Sequence, residues 1–388
     1  MDRHYDLTVQ RLIWRGRGLA RLDTGQVVLV SPGVFPGERV RVYITKAKTD
    51  YLQAAWTKIL DPHPMRRPHP CFLAEQCGGC RFGWLPQREQ LKLKVQVVEN
   101  ELNRALPSQR AADLPSIQAI AGPKQWRYRW RGQVHVITGR PFMMPLQGRT
   151  PVFCPDCLLL AQPLSRQVQE LCAETDNGRL ILAASPATHK GAKAGDNGFL
   201  DFPLPSFGIT IQIPPDVFFQ ANWAGNQLLV DHVCSLLRKD WSVGDLYAGA
   251  GNFALPLGIM GNKVLAVESE ARAVRSGEEN ARRLGLDHVR FVRRNLARKS
   301  SRRRLENEGV QAVIIDPPRT GAGKRLTQTL DISGLQRMVW VSCDVVNTCR
   351  DLNPFLEQGW KISQITVFDL FPQTWHVETV FVLDREEA

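Results

Sequence analysis

The sequence predicts an α/β protein: an open, mostly parallel sheet with helices on both faces in the C-terminal half, preceded by a small β-barrel and a central α+β segment. Three observations carry this. From residue 226 onward helix-like and strand-like stretches alternate, as in "NQLLVDHVCSLLRK", "VGDLYAGAG", "KVLAVES", "EARAVRSGEENARRLG", "AVIIDPP" and "MVWVSC", the pattern of strands joined by crossover helices. The first sixty residues instead alternate polar and apolar side chains near period two. Between the two lies a proline-rich stretch and a cysteine cluster. At 388 residues the chain exceeds one ordinary core, so three units are expected, over 1–61, 62–215 and 216–388.

The first unit reads as "DLTVQRLIWRG", "GLARLDTGQVVLV" and "GERVRVYITKAKTDYLQAAWTKIL", punctuated by "RGRG", "DTGQ" and "SPGVFPGE". Short β-branched and aromatic strands between glycine turns predict a barrel of the oligonucleotide-binding kind. "LDPHPMRRPHP", residues 60–70, reads as a linker. After the cysteines, "PQREQLKLKVQVVENELNRAL" has the apolar spacing of a helix to about residue 106. Residues 117 to about 215 read as mixed strands and loops, including "YRWRGQVHVITG".

Hydrophobic residues make up 43% and charged residues 23%, a globular composition. No apolar run approaches the roughly 18 residues of a spanning helix, and "MDRHYDLTVQ" lacks a signal-peptide core. A cytoplasmic monomer without a membrane partner is expected. Lys plus Arg outnumber Asp plus Glu by 50 to 38, a net charge of +12. That surplus suits a polyanion, because neutralising phosphates releases counterions. Nine cysteines, at 71, 77, 80, 154, 157, 172, 234, 343 and 349, are an odd number in a reducing compartment. Metal ligation or catalysis is therefore expected over disulfides.

Chemistry concentrates at the ends of the C-terminal strands. "VGDLYAGAGNFALPLG" is a strand ending at Leu246 that runs into Gly249, Gly251 and Asn252 before a helix. Glycines there permit a tight turn and close backbone approach to a ligand. Glu268 closes the next strand about 20 residues on, where an acid reaches ribose hydroxyls. The spacing G-x-G-x-x-x-x-x-x-G departs from the nicotinamide fingerprint. In "AVIIDPPRTG" two prolines end the strand and hold Asp316 at the carboxyl edge, and "VWVSCDVVNTCRDL" places Cys343 at the end of the next strand. Glycine loop, Glu268, Asp316 and Cys343 should thus face one crevice. Cys71, Cys77 and Cys80 put three thiolates on one loop with Gly78 and Gly79 at the turn. A fourth soft ligand comes from Cys154 or Cys157, and ligand chemistry alone leaves zinc and an iron–sulfur cluster open.

With "FFQAN", "DLYAGAGNFALPLG", "DPPRTG", "WVSCDVVNTCRDL" and "DLFPQTWHVETVFVL" in this order, the chain resembles the RNA uridine-C5 methyltransferases over nearly its whole length. The resemblance implies a Rossmann-like methyltransferase domain, an N-terminal TRAM domain, and S-adenosylmethionine as cofactor. It implies 5-methyluridine formation with Cys343 as the thiolate that adds to carbon 6 and Glu378 as the base. It also implies Gln220, Tyr247, Gly249, Gly251, Asn252, Glu268, Asn295 and Asp316 around the cofactor. "CFLAEQCGGC" is similar to the iron–sulfur site of the ribosomal-RNA branch, which implies a [4Fe–4S] cluster on Cys71, Cys77, Cys80 and Cys157, with Cys154 as the alternative fourth ligand. The implied activity is methylation of a specific uridine in 23S ribosomal RNA, with transfer RNA or a catalytically idle RNA-binding role as alternatives. Where the family commonly has Asn-Pro after the nucleophile, this chain has Asp344 and Val345, and an inward Asp344 would raise the thiol pKa. Cys349 is read as packing. Basic side chains gather in "RLIWRGRGLAR", "WRYRWRGQ" and "RFVRRNLARKSSRRRL"; the second interleaves Trp126, Tyr128 and Trp130 with arginines, a pattern that stacks unpaired bases.

Overall fold

The computed structural model describes residues 4–146, 148, 150–296, 305–323, 326, 330 and 332–385. Most of the last basic stretch, residues 297–304, lies outside the described residues.

The barrel is a six-stranded sheet ordered β1-β5-β6-β4-β3-β2, from β1 (His4–Thr8), β2 (Arg11–Ile13), β3 (Arg17–Arg21), β4 (Val27–Val30), β5 (Arg39–Ala47) and β6 (Tyr51–Asp61). Alternation decides its faces: Val40 and Val42 point inward to Val28, Val30 and Leu7, while Arg39 and Arg41 point out to Asp61 and Asp6. Between β2 and β3, Gly16 sits at φ +67°, and a Cβ there would meet the Trp375 Cβ at 2.7 Å. Trp14 lies edge-on to Trp375 with ring centroids 5.7 Å apart, so this turn docks directly on the C-terminal unit.

The helix α1 (Gln87–Ala105), with the short α2 (Ser108–Ala112), follows the cysteine loop. β7 (Ile117–Ile120) comes next, and the central sheet is built from β8 (Arg131–Ile137), β9 (Arg140–Met143), β10 (Val152–Phe153), β11 (Asn177–Ala184) and β12 (Gly191–Lys193). α3 (Gln162–Ala173) covers it, packing Leu164, Val168 and Cys172 on Val134, Val136 and Leu182. The hairpin β13 (Leu200–Leu204) and β14 (Ile209–Ile213) leads into α4 (Trp223–Ser235).

The C-terminal sheet has eight strands ordered β17-β16-β15-β18-β19-β21-β20-β7. It comprises β15 (Ser242–Leu246), β16 (Lys263–Glu268), β17 (Val289–Arg293), β18 (Ala312–Ile315), β19 (Arg337–Ser342), β20 (Trp360–Phe368) and β21 (Glu378–Arg385). α5 (Ala254–Ile259), α6 (Ala271–Arg283) and α7 (Val345–Glu357) connect them. β17 through β19 are parallel and β21 inserts antiparallel between β19 and β20. These strands are buried on both faces, which explains their unbroken apolar runs. Val339 and Val341 enter one core with Ile314, and Met338 and Trp340 enter the other with Val313 and Ile315. β7, placed by sequence with the central unit, pairs with β20 at the sheet edge, and α1 lends Val98 and Leu102 to the second core. The strand order reverses beside β15, where open α/β sheets bind ligands at their carboxyl ends.

One loop, Asp369–Val377 between β20 and β21, is held by all neighbouring parts. Lys94 of α1 donates to Asp369 Oδ1 at 2.5 Å and to the Phe371 carbonyl at 3.0 Å, with both charged side chains essentially inaccessible. Losing either partner of such a pair costs about 3–5 kcal/mol, because the survivor is left charged and dry. Gln373, at φ +70°, exchanges hydrogen bonds with Gln90 of α1. Its carbonyl accepts from the Phe82 N–H beside the cysteine loop. Tyr128 donates from its hydroxyl to the Pro372 carbonyl at 2.8 Å.

Candidate active site

Register alone assembles much of the site. Leu246, Val267 and Ile315 end the ladders of β15, β16 and β18 at one level, so Tyr247, Glu268 and Asp316 follow side by side on the carboxyl edge. β19 and β21 pair Arg337 with Asp384 and Ser342 with Thr379. Cys343 directly follows Ser342 and Glu378 directly precedes Thr379, so both stand at the same end of this strand pair, close enough for the charge of Glu378 to act on the thiol.

Each side chain is positioned by local bonds. The Gly249 amide donates to Glu268 Oε2 at 3.1 Å, and Glu268 Oε1 accepts from the Ser269 and Glu270 amides. Glu268 thereby braces the glycine loop. Gly249 takes φ +56° with open space where a Cβ would stand, leaving the loop's backbone approachable. Asp245 is buried and accepts from the Ala254 amide through Oδ2, while its Oδ1 has no partner among the described residues. Gln220 is 9% exposed, yet its amide makes no hydrogen bond to the described residues. The flanking backbone is pinned instead: the Trp130 N–H donates to the Ala221 carbonyl at 2.7 Å, and Asn222 caps α4 through Gly225 while donating to the Leu370 carbonyl. The Asn252 amide forms a reciprocal pair with Asn226, at 2.7 and 3.0 Å, so it fixes the loop against α4. Asn295 is exposed two residues beyond β17.

The electrostatics are those of an acidic, poorly solvated crevice. Burial pushes Asp316 up to about 7. Glu378 is raised well above the carboxylate range, first by burial and then by Asp316, with Arg319 opposing. Burial, Asp316 and Glu268 likewise raise Asp245. The Cys343 thiol is pushed up to about 12 by burial, then by Glu378, with Arg319 again pulling it down. Asp344 makes a smaller contribution than Glu378 or Asp316, because its carboxylate caps α7 by accepting from the Asn347 amide at 3.0 Å. The substitution in the motif is absorbed as a helix cap. Cys349 is buried within α7 in the second core. His376, whose ring is tilted 35° to that of Trp375 with centroids 3.8 Å apart, is driven down to about 3 by burial and by the cations Arg319, Arg129 and Lys94. It is a neutral imidazole at working pH.

These shifts have a sign. Asp316 binds its proton more tightly folded than unfolded, so its stabilising contribution is complete below about pH 4 and disappears as pH rises through about 7. In ligand-free protein, Asp316→Asn is therefore expected to gain thermal midpoint relative to wild type between pH 5 and pH 8. A difference that stays constant or moves the other way, by scanning fluorimetry, would refute the assignment.

Sequence reasoning quoted several further contributors without assigning them. Arg319, in "DPPRTG", supplies the cation next to Cys343 and Glu378. Arg350 and Asp351 fasten that loop: Arg350 donates to the Thr320 carbonyl, Asp351 accepts from the Ala322 amide at 2.7 Å, and Asn347 donates to the Arg319 carbonyl. Their spacing from Cys343, one to two turns into α7, was the available signal.

The second constellation is a cavity of roughly 130 Å³ lined by Cys71, Cys77, Cys80, Cys154, Cys157 and Arg129. His69 closes the loop by accepting from the Cys71 amide at 3.0 Å through Nδ1 and meeting the Cys80 carbonyl at 3.1 Å through Nε2. A hydrogen bond from Cys154 brings the Cys157 thiol down to about 6 against its burial, whereas burial raises Cys71 and Cys77. Among the described residues no three His, Cys, Asp or Glu side chains are already gathered around a single metal position. No helix among them is long and apolar enough to cross a membrane. Of the interleaved aromatics, Tyr128 is core, Trp126 packs against His69, and Trp130 is half-buried against His189.

Residues 208–386 match the family described as tRNA (Uracil-5-)-methyltransferase, and residues 3–56 match the TRAM domain. Among curated relatives, the 23S rRNA (uracil(1939)-C(5))-methyltransferase RlmD of Pseudomonas putida is 28% identical over 428 residues, 97% of this chain and 93% of the relative. The protein of the same name from Alkalilimnicola ehrlichii is 28% identical over 438 residues, 98% of this chain and 97% of the relative. The solved structure of Pyrococcus abyssi tRNA (uracil-54, C5)-methyltransferase in complex with S-adenosyl-L-homocysteine superimposes with a TM-score of 0.74 at 20% identity, covering 97% of this chain and all of that one. At that identity the likeness speaks to fold.

Proposed function

We propose that this chain, whose residues 208–386 match the tRNA (Uracil-5-)-methyltransferase family and residues 3–56 the TRAM domain, is an RNA uracil-C5 methyltransferase that uses S-adenosylmethionine to methylate carbon 5 of a specific uridine in 23S ribosomal RNA. The observation that carries the reading is that Cys343 and Glu378 lie at the same end of the β19–β21 pair, where the charges of Glu378 and Asp316 act on the thiol.

The residues present fit the cofactor. Burial raises Asp245, Asp316 and Glu378, and the charge of Asp316 raises Asp245 and Glu378 further. A positively charged ligand relieves that repulsion, and the orphaned Asp245 Oδ1, the open loop at Gly249 and the unpartnered Gln220 amide face such a ligand with polar groups. When bound, S-adenosylmethionine supplies an electrophilic methyl on a sulfonium. Tyr247, Gly251 and Asn295 complete the proposed pocket, Asn252 acting through its pairing with Asn226.

The chain's own residues then divide the work. Cys343, as thiolate, adds to carbon 6 of uracil, and the displaced electron pair makes an enolate that is nucleophilic at carbon 5. After carbon 5 takes the methyl, the Glu378 carboxylate removes the carbon-5 proton. The 5,6 double bond re-forms as the bond from carbon 6 to sulfur breaks, returning the thiolate. Arg319 offsets negative charge on both groups. Reaching carbon 6 requires the uridine to leave any base stack. We assign the cysteine cavity to a structural [4Fe–4S] cluster on Cys71, Cys77, Cys80 and Cys157, a reading supported by the convergence of soft donors on one space.

The test is trapping with 5-fluorouridine, whose carbon-5 fluorine cannot leave as a proton does. Protein and cofactor incubated with substituted 23S ribosomal RNA fragments should yield a covalent complex mapping to one fluorouridine. A complex formed only with transfer RNA would reassign the substrate, and no complex with either would overturn the activity.

A further inference from the structure

We propose that a groove in the central unit, beside α3, is a subsite for an unpaired stretch of the substrate RNA. Lys124 and Arg166 would hold its phosphates, and the Trp130–His189 face would stack a base; this rests on the RNA-modifying reading above. The groove encloses about 650 Å³ and is lined by Lys124, Arg127, Trp130, Gln162, Arg166 and His189 among others, with no carboxylate in its wall. Lys124 and Arg166 are exposed and make no ion pair with the described residues. Arg127 is different. It is locked to Asp156 by two bonds of 2.6 and 2.7 Å and serves as wall.

The aromatic platform is built in advance. The rings of Trp130 and His189 lie 13° from parallel with centroids 5.9 Å apart. His189 takes φ +61°, a left-handed conformation uncommon outside glycine, and the turn is held in it. Its amide donates to the Ser185 carbonyl at 2.9 Å, and Ser185 Oγ accepts from the Ala187 and Thr188 amides. Gln167 of α3 donates to the His189 carbonyl and accepts from the Gly191 amide. A platform fixed before binding spares ordering entropy. A flat ring face beside unpaired cations recognises a base with its phosphates; a duplex offers no free base face.

The groove's Trp130 wall adjoins the segment that carries Gln220. The Trp130 N–H binds the Ala221 carbonyl next to Gln220. The neighbouring Arg131 donates to the Val217 carbonyl and lies 5.7 Å over the ring of Phe218, which is 68% exposed. A strand in the groove would therefore run past "FFQAN" toward the crevice.

The experiment uses the full chain and a Lys124→Glu/Arg166→Glu double variant, both sites being exposed. For a fluorescent oligouridylate the variant's affinity should fall roughly tenfold or more, and the log–log salt dependence should flatten by about 1.4, the share of two phosphate contacts on a single strand. Binding of S-adenosylmethionine should be unchanged, and with 23S transcript the loss should fall on KM. 4-Thiouridine in the bound strand should crosslink to Trp130 or His189. Unchanged affinity and slope, or crosslinks confined elsewhere, would overturn the subsite. So would equal competition by a duplex of the same length, or by polyglutamate, the latter pointing to an acidic protein partner. A wild type that binds through this groove but methylates no RNA would sink the proposed activity and leave the subsite standing.

Discussion

A Cys343→Ala variant is expected to lose methyl transfer by roughly four orders of magnitude or more and to form no covalent complex with 5-fluorouridine RNA. The size follows from the chemistry: without a bond from sulfur to carbon 6, carbon 5 of uracil has no enolate to react from. The structure closes the obvious rescue route, since Cys349 is buried in α7 against the second core and cannot reach the crevice. Collateral damage should be small. Cys343 is half-buried, and the ends of its turn are held independently by the bond from Thr348 to Ser342 Oγ and by the Asp344 cap. Binding of S-adenosylmethionine should therefore survive, separating a lost nucleophile from a lost fold. Retention of even a tenth of the wild-type rate would rule out the covalent route.

The raised thiol pKa makes the same prediction informative about timing. At about 12, only about one thiol in 10⁵ is ionised at neutral pH, so the ligand-free enzyme is nearly inert toward uracil. Part of the suppression comes from Glu378 and Asp316. A cation in the crevice opposes those charges, so cofactor binding should prime the sulfur. Sulfur chemistry then waits until a methyl is in place.

The strands that build the crevice were readable because parallel strands buried on both faces must be apolar throughout, and "AVII" and "MVWVS" are. Their ends were readable because Pro317 and Pro318 cannot continue a strand and Gly249 and Gly251 cannot start a helix cheaply. That Cys343 and Glu378 belong to one site was legible only through motif resemblance, since nothing local states that β21 inserts antiparallel beside β19. β7 went unassigned to the C-terminal sheet because "IQAI" is four residues in a mixed region and its partner is supplied by β20. The same limit hid Lys94–Asp369, 275 residues apart, and the pairing of Asn226 with Asn252. A buried lysine looks in sequence like any helix lysine until its partner is known. His69 was passed over as part of a proline-rich linker, although its two bonds close the cysteine loop.

Glu378→Gln should stop the reaction one step later than Cys343→Ala does. Glutamine keeps the shape of the side chain at the start of β21 but cannot accept the carbon-5 proton, and removing a base of this kind costs roughly 10² to 10⁴ in turnover. Addition of Cys343 should survive, because glutamine leaves the thiol and the Arg319 cation beside it in place. Methyl transfer should follow. With the proton still on carbon 5, however, the electrons that would expel the sulfur are never released. The variant is therefore expected to accumulate a methylated covalent complex with ordinary uridine RNA, seen as a slow band that survives denaturing electrophoresis and carries label from the methyl donor. Turnover near the wild-type rate with no such band would remove Glu378 from the base role. If Asp316→Asn stalled at the adduct instead, the proton would belong to Asp316, the carboxyl whose charge acts on Cys343 next after that of Glu378.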